Sequence, residues 1–178
     1  MGYGDEPILL HVTTDFVRKG LRTIIRALPH IDSDARLVVV GDEDPSPYRE
    51  EAKRLGVEQR ITFSGRAETI EDFYMGADAF VFPSHYEAFG LSILEAMASG
   101  LPVICTRGLG ATELMTDGKD CLLLESWDDP LELAEKIESL ETAGPRTLGA
   151  AARRTAELHS WARTAASTRQ VYEGCLRK

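Results

Sequence analysis

The feature that most constrains the fold of this chain is a regular alternation of short apolar segments with segments of helical periodicity. Between the apolar segments, hydrophobic residues recur every three or four positions, as in helices that pack on a sheet. Strands joined by single helices form right-handed crossovers and a parallel sheet, and continuously apolar strands indicate that both faces are covered. The sequence therefore predicts an α/β fold, a doubly wound parallel sheet of about six strands, at residues 8–12, 36–40, 61–63, 79–82, 103–106 and 121–124.

Beyond residue 129 the sequence predicts three further helices and no further strand. They cover residues 130–141, 146–158 and 160–175, and the pair Gly144 and Pro145 separates the first two. The chain has 178 residues, a length that fits one domain of ordinary size. No repeat or linker-like segment divides it. We therefore expect one domain over residues 1–178, ending in C-terminal helices from residue 145.

The net charge excludes one class of partner. The chain carries −9 at pH 7, whereas proteins that bind nucleic acids depend on a basic surface, so we expect no nucleic-acid partner. The charge is uneven, because residues 145–178 have seven Lys and Arg against two Glu, which is +5 and leaves −14 on residues 1–144. This basic end fits a solvated helical surface, or contact with an acidic partner or lipid head groups.

Cysteine usage and the absence of targeting segments bear on the cellular compartment. Cys105, Cys121 and Cys175 are far apart and odd in number, as in a reduced cytosolic protein. No signal peptide is recognisable at the start, and no apolar segment is long enough to span a membrane. The sequence therefore predicts a cytoplasmic protein that, if it meets membranes, lies on their inner face.

Two glutamates are associated with the predicted helix after the fourth strand, one before the helix and one within it. Ligands of such folds bind beyond the carboxyl ends of the strands, where Glu87 and His85 would lie. Glu95 follows Leu94 and comes four residues after Leu91, within the stripe that we predict to face the core. A carboxylate in that position is either a buried cap or salt bridge, or an acceptor for the two hydroxyls of a vicinal diol such as a ribose.

Two loops at the same edge of the predicted sheet are suited to phosphate. Residues 88–92 enter a helix with Gly90 at its start, and the first N–H groups of a helix attract anions. Arg18, Lys19 and Gly20 form a basic loop after the first strand. Either loop alone is more often an ordinary surface feature. Because both face one cleft, together they predict a diphosphate site.

Motifs for other chemistries are absent from the sequence. There is no GxxxxGK[ST] phosphate loop, no GxGxxG after the first strand and no GxSxG nucleophile turn. The four histidines lack the spacing of metal ligands. The acidic run Asp42, Glu43 and Asp44 loosely matches a DxD-type metal motif, but it precedes Pro45 and is interpreted as a solvated turn. We therefore expect no metal and no other cofactor.

The segment 83–104 resembles a known family. Its sequence, PSHYEAFGLSILEAMASGLPVI, is similar to the motif of two glutamates separated by seven residues in retaining GT-B glycosyltransferases of the family 4-like type, also called glycosyl transferases group 1. The motif belongs to their C-terminal, donor-binding domain. The resemblance covers nearly the whole chain, including residues 18–20, 63–66, 76–78 and 160–161. It implies a Rossmann-like sheet that forms one half of a GT-B fold.

The resemblance also implies the roles of individual residues. Glu87, Lys19 and Arg18 are the implied catalytic residues, with Glu87 at the donor sugar and Lys19 at the diphosphate. Glu95 is implied to bind the ribose hydroxyls. The other implied donor-binding residues are Phe89, Gly90, Leu91 and Ser92 around the phosphate and sugar, Gly65 and Arg66 against the nucleobase, and Gly41 after the second strand.

The sequence departs from the family pattern at two places. Thr13 and Thr14 stand where most members have a Gly-Arg pair, so we expect Arg18 to supply the missing guanidinium. Glu43 stands where a second glycine is common in the turn after the second strand.

The function implied by the resemblance is that of the donor half of a retaining glycosyltransferase. It would bind a UDP-, GDP- or ADP-linked sugar, and a hexose-type sugar would pass to a glycan, lipid or small-molecule acceptor. Residues 1–6 look like the end of an interdomain linker, and the expected partner is an N-terminal acceptor-binding domain, without which we expect no transfer. Peripheral membrane contact of the full-length protein is compatible with this reading. The alternative is a catalytically silent nucleotide-binding or protein-interaction module; the presence of both Glu87 and Glu95 favours the enzyme.

Overall fold

The computed structural model describes residues 6–176, apart from the side chains of Glu141 and Ala143, so most of the expected linker lies outside the described residues. Six strands form one parallel sheet in the order β3-β2-β1-β4-β5-β6. The predicted doubly wound α/β fold is confirmed. All six predicted strands are present, the third two residues longer and the sixth one residue shorter, as β1 Ile8–Val12, β2 Arg36–Val40, β3 Ile61–Gly65, β4 Ala79–Phe82, β5 Val103–Thr106 and β6 Leu122–Leu124.

The described residues form seven α-helices, and the first six of them cover the two faces of this sheet. Short 3₁₀ turns supplement them at residues 28–30, 58–60 and 110–114. The three predicted C-terminal helices are present with boundaries shifted by at most two residues. The helices are α1 Leu21–Ala27, α2 Ser46–Arg54, α3 Glu71–Met75, α4 Leu91–Ala98, α5 Pro130–Ala143, α6 Pro145–Leu158 and α7 Trp161–Leu176.

The alternation of side chains along the strands divides the core into two layers. In β1, Leu9 packs with the layer under α1, α2 and α5, whereas Leu10 packs with the layer under α3, α4 and α6. Strand β4 lies between β1 and β5 and is buried along its whole length. Its four consecutive apolar residues are therefore explained by two covered faces rather than one.

The buried face of α4 differs from the prediction. Ile93, Ala96 and Met97 are fully buried, whereas Leu91 is 49% exposed and Glu95 is exposed. The predicted stripe and the stripe that is buried both have helical spacing. The buried stripe is the one that contacts β4, β5 and α6, where the small Ala96 allows the elements to approach closely. The prediction that Glu95 lies in the core-facing stripe is wrong, and its carboxylate bears no cost of burial.

Two observations concern the surface. Helix α7 buries none of its residues, in contrast to α6, which packs closely on α4. None of the helices in the described part of the chain combines the length and the apolar composition needed to cross a membrane.

Candidate functional site

A cleft of about 720 Å³ opens at the carboxyl ends of β1, β2 and β4. It lies where the strand order reverses between β1 and β4, which is the expected place for a ligand in an open α/β sheet. Loops after four strands and the start of α4 form its walls. Of the predicted site residues, the structure brings together Lys19, Gly41, Arg66, Glu87, Phe89, Gly90, Leu91 and Ser92 as lining residues.

The loop after β1 brings Lys19 into the cleft. Gly20 has a φ of 72°, and a Cβ atom there would lie 1.9 Å from the carbonyl oxygen of Pro83. Only glycine permits this approach, so the loop can pack directly on the end of β4. A hydrogen bond of 2.9 Å from the His85 N–H to the Arg18 carbonyl fastens the same contact.

Lys19 is largely buried at the junction of the two walls. Its ammonium contacts the Glu87 carboxylate and lies 4.7 Å from the centroid of the Phe82 ring. Burial, and next the positive charge of Arg18, lower the pKa of Lys19 to about 8, although Asp15 opposes the shift. A lysine whose charge is this sensitive to its surroundings is typical of a functional site.

Arg18 does not occupy the position left open by Thr14. Its Nε donates to Asp15 Oδ2 at 2.9 Å, and its Nη1 donates to the Tyr86 carbonyl at 2.9 Å. Arg18 is therefore not among the residues that line the cleft, although its Nη1 lies 3.9 Å from Glu87 Oε2, which does line it. The structure does not bring its guanidinium to the place where we expected it.

The start of α4 provides backbone donors. Gly90 precedes the helix with a φ of 101° and offers no side-chain cap. Within the described residues, the N–H groups of Leu91 and Ser92 have no acceptor. The preceding loop is held by a hydrogen bond of 2.6 Å from the Ala111 N–H to the Phe89 carbonyl. The helix thus presents two unpaired donors beside the cleft, as an anion site requires.

Glu95 lies about one turn beyond Ser92, outside the residues that line the cleft. Its Oε2 accepts a hydrogen bond of 3.0 Å from the hydroxyl of Tyr74, a residue that is only 2% exposed. No motif in the sequence identifies Tyr74 as a functional residue. A Tyr in an otherwise apolar face is the one available signal, because its hydroxyl needs a partner when buried.

The wall formed by the ends of β2 and β3 carries the other predicted residues. Arg66 is exposed and lines the cleft. Gly65 does not line it, but its carbonyl accepts a hydrogen bond of 3.0 Å from the N–H of Gly41, which does. The two strand ends are therefore tied together beneath the site.

The acidic run after β2 is spread over separate contacts. Glu43 accepts a hydrogen bond from the Phe16 N–H and so joins this turn to the loop after β1. Hydrogen bonds from the side chain and then the N–H of Ser46 lower the pKa of the Asp44 carboxyl, and Asp42 lines the cleft. Among residues 6–176 no three His, Cys, Asp or Glu side chains are grouped so that they could hold a metal ion.

The prediction that His85 lies in the cleft is wrong. Its ring is exposed and lies 4.7 Å from the ring of Trp127, between centroids. Because the loop after β4 turns outward at His85 before Glu87 returns to the cleft, neighbouring residues of this loop face different surfaces.

The chain belongs to the glycosyl transferases group 1 family, whose profile matches residues 2–155. It is a GT-B glycosyltransferase domain with a Rossmann-like sheet. A D-inositol 3-phosphate glycosyltransferase from Xylanimonas cellulosilytica is 32% identical over 177 residues, covering 94% of this chain and 42% of the relative.

Solved structures have the same fold. Sucrose-phosphate synthase from Thermosynechococcus elongatus matches with a TM-score of 0.88 and 31% identity, over 97% of this chain and 46% of that one. HepE from Anabaena, solved in complex with UDP and glucose, matches with a TM-score of 0.85 and 26% identity, over 98% of this chain and 49% of that one. The chain thus spans less than half the length of these proteins.

Proposed function

We propose that this chain is the donor-binding part of a retaining glycosyltransferase that moves a hexose-type sugar from a nucleoside-diphosphate sugar to an acceptor. The observation that carries the proposal is the convergence of Lys19 with the unpaired N–H groups of Leu91 and Ser92 on one cleft, beside Glu87. The structures of HepE with UDP and with UDP-glucose support a nucleotide-sugar ligand.

In this proposal the diphosphate is bound by Lys19 and by the start of α4. Charge develops on the diphosphate as the bond to the sugar breaks, and positioned cationic and N–H donors stabilise that charge most in the transition state. Metal ions are not required for this role if these donors suffice. Arg18 does not line the cleft. It would reach the diphosphate only after its hydrogen bonds to Asp15 and Tyr86 are rearranged.

Glu87 changes its partner in the proposed mechanism. Without donor, its carboxylate neutralises the Lys19 ammonium. The phosphates of the donor would take over the ammonium, which leaves Glu87 to accept hydrogen bonds from the donor sugar near the reacting carbon. Glu95 would accept from the ribose hydroxyls, and Arg66 would lie against the nucleobase.

Transfer to an acceptor requires a second wall in this proposal. The acceptor hydroxyl must be held about 3–3.5 Å from the anomeric carbon, and the strand-end loops described here form one side of the cleft. We propose that an N-terminal acceptor-binding domain supplies the other side, in a cytoplasmic enzyme that contacts the membrane surface if its acceptor is a lipid.

A binding panel followed by a transfer assay tests the proposal. UDP, GDP, ADP and their hexose derivatives are titrated calorimetrically into the chain, and the donor that binds is then used with the two-domain enzyme. Glu87→Ala is expected to lower kcat far more than it weakens donor binding, because its partner is the reacting sugar. Binding without any transfer by the two-domain enzyme would favour a silent nucleotide-binding module, and the absence of binding would contradict both functions.

A further inference from the structure

We propose that Tyr74 is a positioning residue for the donor: its hydroxyl fixes Glu95 so that the carboxylate selects ribonucleotides over 2′-deoxyribonucleotides. This inference rests on the proposed function, because Glu95 can act on a ribose only if a nucleotide occupies the cleft. It assigns a role to a side chain of α3, which contributes no other residue to the proposed chemistry.

The geometry identifies Glu95 as the partner of the Tyr74 hydroxyl. The distance from the hydroxyl oxygen is 3.0 Å to Glu95 Oε2 and 3.4 Å to the Ser92 carbonyl. A phenol has a single hydrogen to donate, and a hydrogen bond to a charged acceptor is the stronger one. The shorter contact to the carboxylate therefore takes the proton.

Tyr74 is itself fixed by the core. The residue is 2% exposed, and its ring centroid lies 5.9 Å from that of Phe80 in β4. Burial, together with the negative charge of Glu95, raises the pKa of Tyr74, so the hydroxyl remains a proton donor near neutral pH. A rigid donor thus holds one oxygen of an otherwise exposed carboxylate.

Glu95 needs such a support because nothing else in the described residues restrains it. Its side chain takes part in none of their ion pairs, and Tyr74 is the hydrogen-bond donor to its carboxylate there. An exposed glutamate loses rotamer freedom when it binds a ligand. If Tyr74 has already ordered the carboxylate, that loss is smaller and both oxygens are aligned for a diol.

The test compares a nucleotide with its 2′-deoxy form. UDP, GDP or ADP, whichever binds most tightly, and the matching 2′-deoxynucleotide are titrated calorimetrically into wild type, Tyr74→Phe and Tyr48→Phe. Tyr48 is the matched control, because it is also buried and packs its ring on an aromatic neighbour, Phe16. In wild type we expect the ribonucleotide to bind about tenfold more tightly, the value of one charge-assisted hydrogen bond.

Tyr74→Phe is expected to reduce this ribose preference at least about threefold while the deoxynucleotide binds nearly as in wild type, and Tyr48→Phe is expected to keep the preference. Glu95→Asp shortens the side chain without touching the core and should reduce the preference equally, so the test does not depend on the folding of Tyr74→Phe. An unchanged preference in Tyr74→Phe overturns the positioning role alone, whereas an unchanged preference in Glu95→Asp overturns it together with the assignment of Glu95 to the ribose. Failure of every nucleotide to bind wild type overturns the proposed function as well.

Discussion

The ammonium of Lys19 contacts the carboxylate of Glu87 across the cleft. Lys19 follows β1 and Glu87 precedes α4, so the pair joins the two sides of the point where the strand order reverses. The side chains are 8% and 21% exposed, respectively, and removing one member of such a pair leaves the other charge poorly solvated. A diphosphate that binds Lys19 replaces one anion by another and avoids that cost.

The first prediction concerns pH. Burial lowers the pKa of Lys19 to about 8, and only the protonated amine attracts a diphosphate. Nucleotide affinity should therefore fall as pH rises above 8, approaching about tenfold per pH unit when one proton is taken up on binding. Calorimetric titrations between pH 6.5 and 9.5 measure this slope.

Lys19→Arg is the control for this slope. An arginine stays protonated throughout this pH range, so the decline above pH 8 should disappear even if the absolute affinity changes. A decline of the same size in both proteins would show that another group titrates and that Lys19 is not responsible.

The second prediction concerns stability in acid. His11 is fully buried in β1, its Nδ1 lies 2.9 Å from the Val81 carbonyl, and its Nε2 has no partner among the described residues. Burial lowers the pKa of His11 from 6.5 to about 4, so the unfolded chain binds more protons between these values. The stability that the neutral His11 contributes should be complete above pH 6.5. The free energy of unfolding should then decrease by about 3 kcal/mol as pH falls to 4.

Urea unfolding at pH 7, 5.5 and 4.5 tests this contribution against a variant. His11→Asn keeps a side-chain N–H for the Val81 carbonyl and removes the titrating group, so its free energy of unfolding should depend less on pH than that of wild type. Carboxylates contribute equally to both curves. Parallel curves would contradict a buried, neutral His11.

The third prediction is that nucleotide binding does not depend on a divalent metal. In the proposed function, Lys19 and the N–H groups at the start of α4 oppose the diphosphate charge. Of the acidic run after β2, Asp42 alone lines the cleft, while Glu43 and Asp44 bind backbone N–H groups. Nucleotide affinity in EDTA should equal that in magnesium or manganese. A large loss of affinity in EDTA would contradict the prediction, and if either ion restores the affinity of wild type but not that of Asp42→Ala, Asp42 is a metal ligand.

The strands could be predicted closely because their signal is local. Continuous apolar residues, as in β2 and β4, are explained only by a sheet covered on both faces. The cleft could be predicted because the loops after parallel strands share one edge of the sheet, whereas the strand order that places the loops after β1 and β4 side by side was not predicted. The strands and their shared edge depend on residue type and spacing, which the sequence contains directly.

The orientation of individual polar side chains was less predictable. Glu95 lies on the exposed face of α4 because packing selected one of two stripes with the same helical spacing. Arg18 and Lys19 are adjacent, yet Arg18 donates to Asp15 and lies 3.9 Å from Glu87, whereas Lys19 contacts Glu87 directly inside the cleft. Contacts between residues distant in the sequence, such as Tyr74 with Glu95, decide these orientations.

The central claim is that this cleft binds the diphosphate of a nucleotide through Lys19. Calorimetric titration of UDP, GDP and ADP into three proteins tests this claim most directly. They are wild type, Lys19→Ala and Lys53→Ala, the last removing an exposed lysine of α2 away from the cleft. The account predicts that at least one nucleotide binds wild type and Lys53→Ala equally, and that Lys19→Ala weakens its binding about ten- to a hundredfold, the value of one charge-assisted bond. Equal affinity of Lys19→Ala and wild type, or no binding of any nucleotide to wild type, would contradict it.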